Sequence, residues 1–450
     1  MEAVSLEGAS TGHMILAAAI LLAAYGLIFS ERVHRTIAAL VGAVVMVGAG
    51  EAAGFYGQEQ AIASVDGNTM LLLLGMMLLV ALLRPTGGFE YLAIRLAKLS
   101  AASPRRLLIY LALAVSVLSM FLDNVTTVII FAPLTVLITR MLNLNPAPYL
   151  MAEAMMSNIG GASTLVGDPP NIMIGSAAGL EFNAFLVHLL PVIVPVWLVT
   201  VSLVLVLFRQ DLRYPPGGHT AARALTLDLD ETKAIKEPSV LRRIMLALFI
   251  VIGLFFVHHH LHLYPAFVAF IGLVIALALV RPDPEQLLKQ AEWPVLLFFA
   301  ALFVLVGGVE ASGLLDQIGE VFATMARDPS QLLFTALALM WVAALVSAVV
   351  DNIPFTVTMI PIVASLQAKG LAVEPLWWAL AIGVGLGGNG THVGATANII
   401  CVAESERSGV DGARISPTRW LRVGMPVTLA SLVAASLVYA ALYGVLFASG

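Results

Sequence analysis

Apolar residues run along the chain in long blocks separated by short polar corners. Uninterrupted blocks cover roughly 13–30, 36–54, 67–83, 185–208, 243–261, 264–280, 293–310 and 423–447, and about 17–25 apolar residues are what a helix needs to cross a bilayer. Two further blocks, 149–182 and 375–403, are broken internally by "GGASTLVGDPPN" and "GGNGTHVGATAN". Two more, 106–140 and 331–367, are bent at an Asp-Asn between apolar arms of 16 or so residues. These bent blocks read as re-entrant hairpins that enter and leave on one face, or alternatively as two full spans each.

The broken and bent blocks occur twice. Asp123-Asn124 and Asp351-Asn352 are 228 residues apart, and each is followed ten residues later by a proline, Pro133 and Pro361. Gly160, Gly161, Thr164, Val166, Gly167, Asn171 and Ile172 match Gly387, Gly388, Thr391, Val393, Gly394, Asn398 and Ile399 at an offset of 227. Weaker matches pair Gly42 with Gly272 and Gly88 with Gly313. The fold class expected is an all-α polytopic membrane protein made of two repeats, each with five transmembrane helices, one broken, and one re-entrant hairpin. The division is 1–208, a polar linker at 209–242, and 243–450. An odd number of spans per repeat inverts the second copy, and inverted repeats with broken helices mark transporters. Unwound backbone inside a membrane survives only where protein or water satisfies its N–H and C=O groups.

Composition agrees with a membrane setting: 60% of residues are hydrophobic and 11% charged, against about 25% charged in soluble domains. The formal charge of −5 argues against a nucleic-acid partner. One cysteine, Cys401, excludes an intrachain disulfide and a multi-cysteine metal cluster. Glu2 and Glu7 precede the first block with no Lys or Arg, so a signal peptide's basic start is absent there. With the N-terminus outside, all of the 23 Lys and Arg but Arg327 and Lys369 fall on the cytoplasmic side, as the positive-inside rule requires. The expected location is the cell (inner or plasma) membrane, multi-pass, with both termini outside and the linker cytoplasmic.

A carboxylate at the centre of a membrane helix costs at least about 2.5–3.5 kcal/mol, so the buried-looking polar residues are the candidate chemistry. At the hairpin tips these are Asp123, Asn124, Thr126, Thr127, Asp351, Asn352 and Thr356. The first broken block adds Glu153, Asn158, Ser163, Thr164, Asp168 and Asn171. The second adds Asn389, Thr391, His392 and Asn398. Asp123, Asp351, Asp168, Glu153 and His392 are candidates for carrying a proton or coupling ion; the amides and hydroxyls are candidates for binding substrate. Each also has a structural alternative. The aspartates are placed to cap the second hairpin arm, Asn158, Asn171 and Asn398 to hold unwound backbone, and Thr126, Thr127, Ser163 and Thr391 to bond back to their own helix. No Lys or Arg falls at either tip or either break. The run "HHHLH" at 258–262 lies at the external end of a span, where polar side chains belong, and is not read as a metal site. No nucleophile elbow, P-loop or His-Glu-x-x-His motif is present, which argues against an enzyme and against a cofactor.

"DNVTT", "SNIGGASTLVGDPPNIMIG" and "GGNGTHVGATANII" resemble the arsenite permease and NhaD-type antiporter group of the ion transporter superfamily. The wording is closest to the branch that includes the pink-eyed dilution protein and bacterial arsenite permeases. The resemblance covers nearly the whole chain. It implies a scaffold domain, a transport domain with hairpins and unwound helices, and secondary transport driven by a proton or sodium gradient. Relatives that carry dicarboxylates have Ser-Asn-Thr tips, from which Asp-Asn-Val and Asp-Asn-Ile depart. The function expected is proton-coupled efflux of arsenite or antimonite as the neutral trihydroxide. Sodium/proton antiport is the alternative, and organic anion or amino-acid transport comes third. Implied partners are the bilayer, the small inorganic substrate and the coupling ion, with a cytoplasmic ATPase subunit and a homodimer left open.

Overall fold

The computed structural model describes residues 10–447 apart from 31, 215–219, 221–222, 225–229 and 327–330. Outside the linker the described residues form two runs of helices. The first is α1 (Thr11–Phe29), α2 (Arg35–Ala53), α3 (Gln58–Ala63), α4 (Gly67–Leu83), α5 (Gly88–Leu99), α6 (Pro104–Leu122), α7 (Asn124–Met141), α8 (Ala147–Gly161), α9 (Pro169–Ala178) and α10 (Phe182–Leu207). The second is α11 (Pro238–Val257), α12 (Pro265–Val280), α13 (Pro284–Leu288), α14 (Trp293–Ala311), α15 (Leu314–Ala326), α16 (Leu332–Ser347), α17 (Asn352–Ala368), α18 (Glu374–Gly387), α19 (Thr396–Arg407) and α20 (Pro417–Leu442). Each helix of the first run has its counterpart ten places later, and no strand occurs among the described residues.

The packing is reciprocal. α2 lies on α14 and α4 on α12; α7 lies on α19 and α9 on α17; α10 lies on α20. Exchanging the two runs leaves this contact pattern unchanged, as a two-fold axis between them requires. Two bodies result. α1, α2, α4, α11, α12 and α14 form an apolar bundle, while α6–α10 and α16–α20 form a central body with the hairpins and broken helices. The bodies meet where α4 touches α9 and α14 touches α17.

Nine described helices are long and apolar enough to cross a membrane, among them both arms of the first hairpin, α6 and α7. Those arms hold 19 and 18 residues, longer than the arms read from the sequence. At 1.5 Å per residue, about 27–28 Å, length alone does not separate a hairpin from two spans. The turn between them does: Asp123 is buried beside the break of the neighbouring helix rather than at a surface.

Glycine sets how closely the hairpins approach the broken helices. A Cβ on Gly160 of α8 would stand 2.2 Å from the Ser116 carbonyl of α6, and one on the matched Gly387 of α18 2.4 Å from Ala344 O of α16. No side chain fits either crossing, so the repeated Gly-Gly is first a packing requirement.

Two amphipathic helices, α5 and α15, join the bundle to the hairpins. They were not legible as spans because they are short and polar on one face. In the first half the end of the linker straps onto α5. Glu231 accepts from Lys98 Nζ at 2.5 Å and Arg95 Nη1 at 2.8 Å, and Lys236 N–H donates to Thr86 O at 3.0 Å. The Lys98 ammonium, then Arg95, hold the Glu231 carboxyl down to about 2.

Candidate functional site

Both hairpin tips and both helix breaks converge at the core of the central body. In the first break, Gly161 to Asp168, the chain leaves α8 and re-enters a helix at Pro169-Pro170, where missing N–H groups cost nothing because a first turn has no partners for them. The freed carbonyls are taken by Asn171, whose Nδ2 donates to Gly161 O (3.4 Å), Ala162 O (3.1 Å) and Thr164 O (2.8 Å). In the second break Asn398 Nδ2 donates to Gly388 O (2.7 Å) and Thr391 O (2.8 Å). The Thr164 hydroxyl donates to Met120 O at the end of α6, and that of Thr391 to Ala348 O beyond α16. These four residues hold backbone in the same way in both halves, and their side chains are engaged in it.

Other candidates are likewise tied to their own chain. Ser163 bonds Gly160 O, Thr127 bonds Asp123 O and Thr356 bonds Asn352 O. Asn352 Oδ1 accepts from Ser347 at 2.5 Å, while the same side chain also stands beside Asp168 in the central cluster.

A second set of side chains bonds to other side chains rather than to unwound backbone. Asn158 spans the two halves: its Nδ2 donates to Asn389 Oδ1 at 2.9 Å and Asn398 Oδ1 at 3.0 Å, and its Oδ1 accepts from Asn124 Nδ2 at 3.2 Å. Asn124 Nδ2 also reaches Asp168 Oδ1 at 3.3 Å. Asp168 lies within electrostatic reach of both Asp123 and Asp351. Asn124 Oδ1 and Asp168 Oδ2 are buried without a hydrogen-bond partner. Unmatched acceptor oxygens in a buried amide cluster are costly, and they are the type of group a proton or hard cation satisfies.

The two tip aspartates differ. Asp123 caps α7: Oδ1 accepts from Val125 N at 3.0 Å, and Oδ2 from Thr126 N at 3.2 Å and Thr126 Oγ1 at 2.5 Å. Its φ of 71° with ψ of 142° is a conformation that costs a non-glycine residue on the order of 1–3 kcal/mol, so the surrounding bonds impose it. Asp351 makes no side-chain cap bond. Its Oδ2 is 3.0 Å from Arg35 Nη1, which also donates to Thr396 Oγ1 at 2.8 Å. The tips and breaks hold no Lys or Arg of their own, but Arg35, at the start of α2, brings a fixed positive charge to the second tip. The sequence held no signal for this, since the two residues are 316 apart and no motif spaces them.

Glu153 and His392 stand outside the amide network. Glu153 is buried on α8, with Oε1 accepting from Thr135 and Oε2 unpartnered. His392 is half-buried, its Nδ1 likewise unpartnered. In the histidine run, His258 is tied to the Leu263 carbonyl (2.8 Å) and His259 pairs with Glu181 (2.6 Å).

Residues 25–383 match the family described as citrate transporter (CitMHS). The chain belongs to the citrate transporter family. It is a multi-pass membrane transporter. It is 39% identical over 429 residues to the "46 kDa membrane protein" of Mycobacterium leprae (strain TN), covering 94% of this chain and 97% of that one. It is 40% identical over 425 residues to an "Uncharacterized transporter" of Mycobacterium tuberculosis (strain ATCC 25618 / H37Rv), covering 93% and 96%. The "P protein" of Homo sapiens is 33% identical over 501 residues, covering 95% of this chain and 59% of that protein. Among solved structures, the YdaH transporter of Alcanivorax borkumensis, described as having an unusual topology, superposes with a TM-score of 0.55 at 13% identity over 96% of this chain and 98% of that one. That likeness concerns the fold alone.

Proposed function

We propose that the chain is a secondary active transporter working by alternating access, with the central amide and carboxylate cluster holding a coupling proton or cation and the cargo together. The observation that carries this is the convergence of both hairpin tips and both helix breaks on three carboxylates, Asp123, Asp168 and Asp351, with the Arg35 guanidinium on Asp351. So acidic a centre favours a proton or cation over a free polyanion. Neutral, hydroxyl-rich cargo suits the remaining amides, so arsenite or antimonite exported in exchange for protons is the first reading. The unmatched oxygens of Asn124 and Asp168 equally suit sodium, which makes sodium/proton antiport the alternative. A carboxylate cargo is the third reading, favoured by the family's description and by Arg35.

The same proposal divides the chain into repeats at 1–208 and 243–450 around a cytoplasmic linker, with both termini outside. A cytoplasmic ATPase on that linker and a homodimer are further proposals, and no bound cofactor is needed by a gradient-driven cycle. An impermeant label that modifies a cysteine placed in the linker of intact cells overturns the orientation.

The cargo is tested by complementation. An efflux-deficient bacterium expressing the chain is plated on arsenite, on high sodium, and with citrate as sole carbon source. Growth on arsenite supports the first reading; rescue confined to sodium or to citrate replaces it with the corresponding alternative. In everted vesicles, a pH jump should drive saturable uptake of the rescued cargo. A non-saturable, gradient-indifferent flux would be that of a channel and would overturn alternating access.

A further inference from the structure

The contact between Arg35 and Asp351 crosses from one body to the other. Arg35 opens α2 in the apolar bundle, where it lies over the Phe298 ring of α14, 5.2 Å from its centroid. Asp351 and Thr396, its two partners, belong to the second hairpin tip and the second broken helix of the central body. A second tie runs beside it: Tyr25 of α1 donates to Pro354 O at 2.9 Å and lies 3.0 Å from Thr358 Oγ1. The pair borders a cavity of about 410 Å³ that also includes His34, and the Asp351 side chain keeps 13% of its surface exposed.

The first half has no equivalent. Gly42 matches Gly272, which places Pro265 opposite Arg35, a residue without charge. Asp123 meanwhile has its oxygens bound by its own helix. Alternating access in inverted-repeat carriers is largely a rigid-body movement of one unit against another, and it exchanges the environments of the two halves. An ion pair between the bodies exists in one end state and is broken in the other. Its breakage leaves an uncompensated charge unless the carboxylate is neutralised.

We infer that Arg35 is the coupling counter-ion of Asp351: the pair latches the central body to the bundle while Asp351 is ionised, and releases it when Asp351 takes a proton. This rests on the transporter reading above. The proton comes from water in the cavity and settles on a carboxylate oxygen; the guanidinium keeps its charge and parts from Thr396 as well as Asp351, since both move with the central body. The groups facing the pair are His34 beside Arg35, Glu292 at the start of α14, which lies within electrostatic reach of Arg35, and Asp168, within reach of Asp351. Arg35 is thus a positioning residue that makes protonation and movement one event, at one end of the cycle only.

Spin labels at Gln58→Cys on α3 and Lys369→Cys after α17, both exposed, report the separation of the bodies in lipid nanodiscs by pulsed dipolar spectroscopy; Cys401 is buried. The labelled wild type should give one narrow distance at mildly alkaline pH and a second population that becomes the majority on acidification. Arg35→Gln and Asp351→Asn should show the second population as the majority at every pH. Arg35→Lys, which keeps the charge, and His34→Asn, which can still cap α2, should keep the wild-type response. If Arg35→Gln fails to insert, Asp351→Asn and Arg35→Lys decide by the same criteria. Distributions in Asp351→Asn that follow the wild type across pH overturn the latch, as does loss of the response in His34→Asn. The readout needs no cargo, so the two proposals fail separately. Movement without export of arsenite, sodium or citrate keeps the latch and removes the cargo reading. Transport without a shifted distance does the reverse.

Discussion

The two hairpin tips carry the same dipeptide and use it differently. Asp123 turns inward on its own helix, in a strained backbone, and is held by Val125 and Thr126. Asp351 leaves its helix uncapped by its side chain and reaches Arg35 on the other body. The breaks facing these tips differ in the same sense. The first brings Asp168 and two prolines where the second has Ala395, Thr396 and Ala397. Yet the groups that hold the backbone are unchanged: Asn171 and Asn398, Thr164 and Thr391, Gly160 and Gly387 all make corresponding contacts. Duplication has kept the scaffolding of the break in both halves and let the charges diverge.

The largest effect is expected where the halves differ. Replacing Asp123 or Asp351 by asparagine keeps the shape of the side chain and removes its titration. At least one of the two variants should lose uphill transport driven by a pH gradient, while downhill exchange of cargo for cargo survives. A purely structural cap predicts instead a stability loss of about 0.5–2 kcal/mol with coupling intact. If both variants concentrate cargo at the wild-type rate, coupling passes to Asp168, Glu153 or His392.

Where the halves agree, substitutions should cost stability and cost it equally. Asn171→Ala and Asn398→Ala each strand buried carbonyls, at about 1–3 kcal/mol per unsatisfied group. Denaturant unfolding in detergent should show similar shifts for both. A large loss in one and none in the other would break the correspondence drawn between the two breaks. Gly160→Ala and Gly387→Ala push a methyl group into a carbonyl of the hairpin arm, an overpacking worth roughly 1–3 kcal/mol, and thermal melting of the pair should again move together.

The smallest effect concerns the linker strap, which among the described residues is seen on α5 of the first half. Glu231 titrates at about 2 rather than at the ordinary glutamate value because Lys98 and Arg95 favour its ionised form. Its contribution is therefore complete above the ordinary value and declines as pH falls from there towards about 2. Lys98→Ala should shrink the acid-side loss of protection of residues 230–237 in hydrogen exchange while leaving neutral-pH transport close to wild type. Unchanged acid behaviour would mean that the strap is held by backbone contacts such as Lys236 to Thr86.

The sequence by itself determined the class, the repeat and the location of the breaks. Bilayer solvation forces apolar helices of a set length, and unwound backbone in such a setting forces Gly, Pro and Asn into recognisable strings, so "GGASTLVGDPPN" could be read as a break without coordinates. It also delivered Asp123, Asp168, Asn124 and Asn158 as buried polar groups. What only the tertiary structure decided is which of those groups are occupied with backbone and which are free. Asn171 and Asn158 look alike in the chain, but one is bound to three carbonyls and the other bridges the halves. Short amphipathic helices such as α5 escaped notice because one polar face hides them among loops. Arg35 escaped because a lone arginine at a corner between two apolar blocks carries no motif. Its meeting with Asp351, 316 positions along the chain, depends on how two bodies are laid against each other, and long-range electrostatics of that kind leaves no period or motif behind.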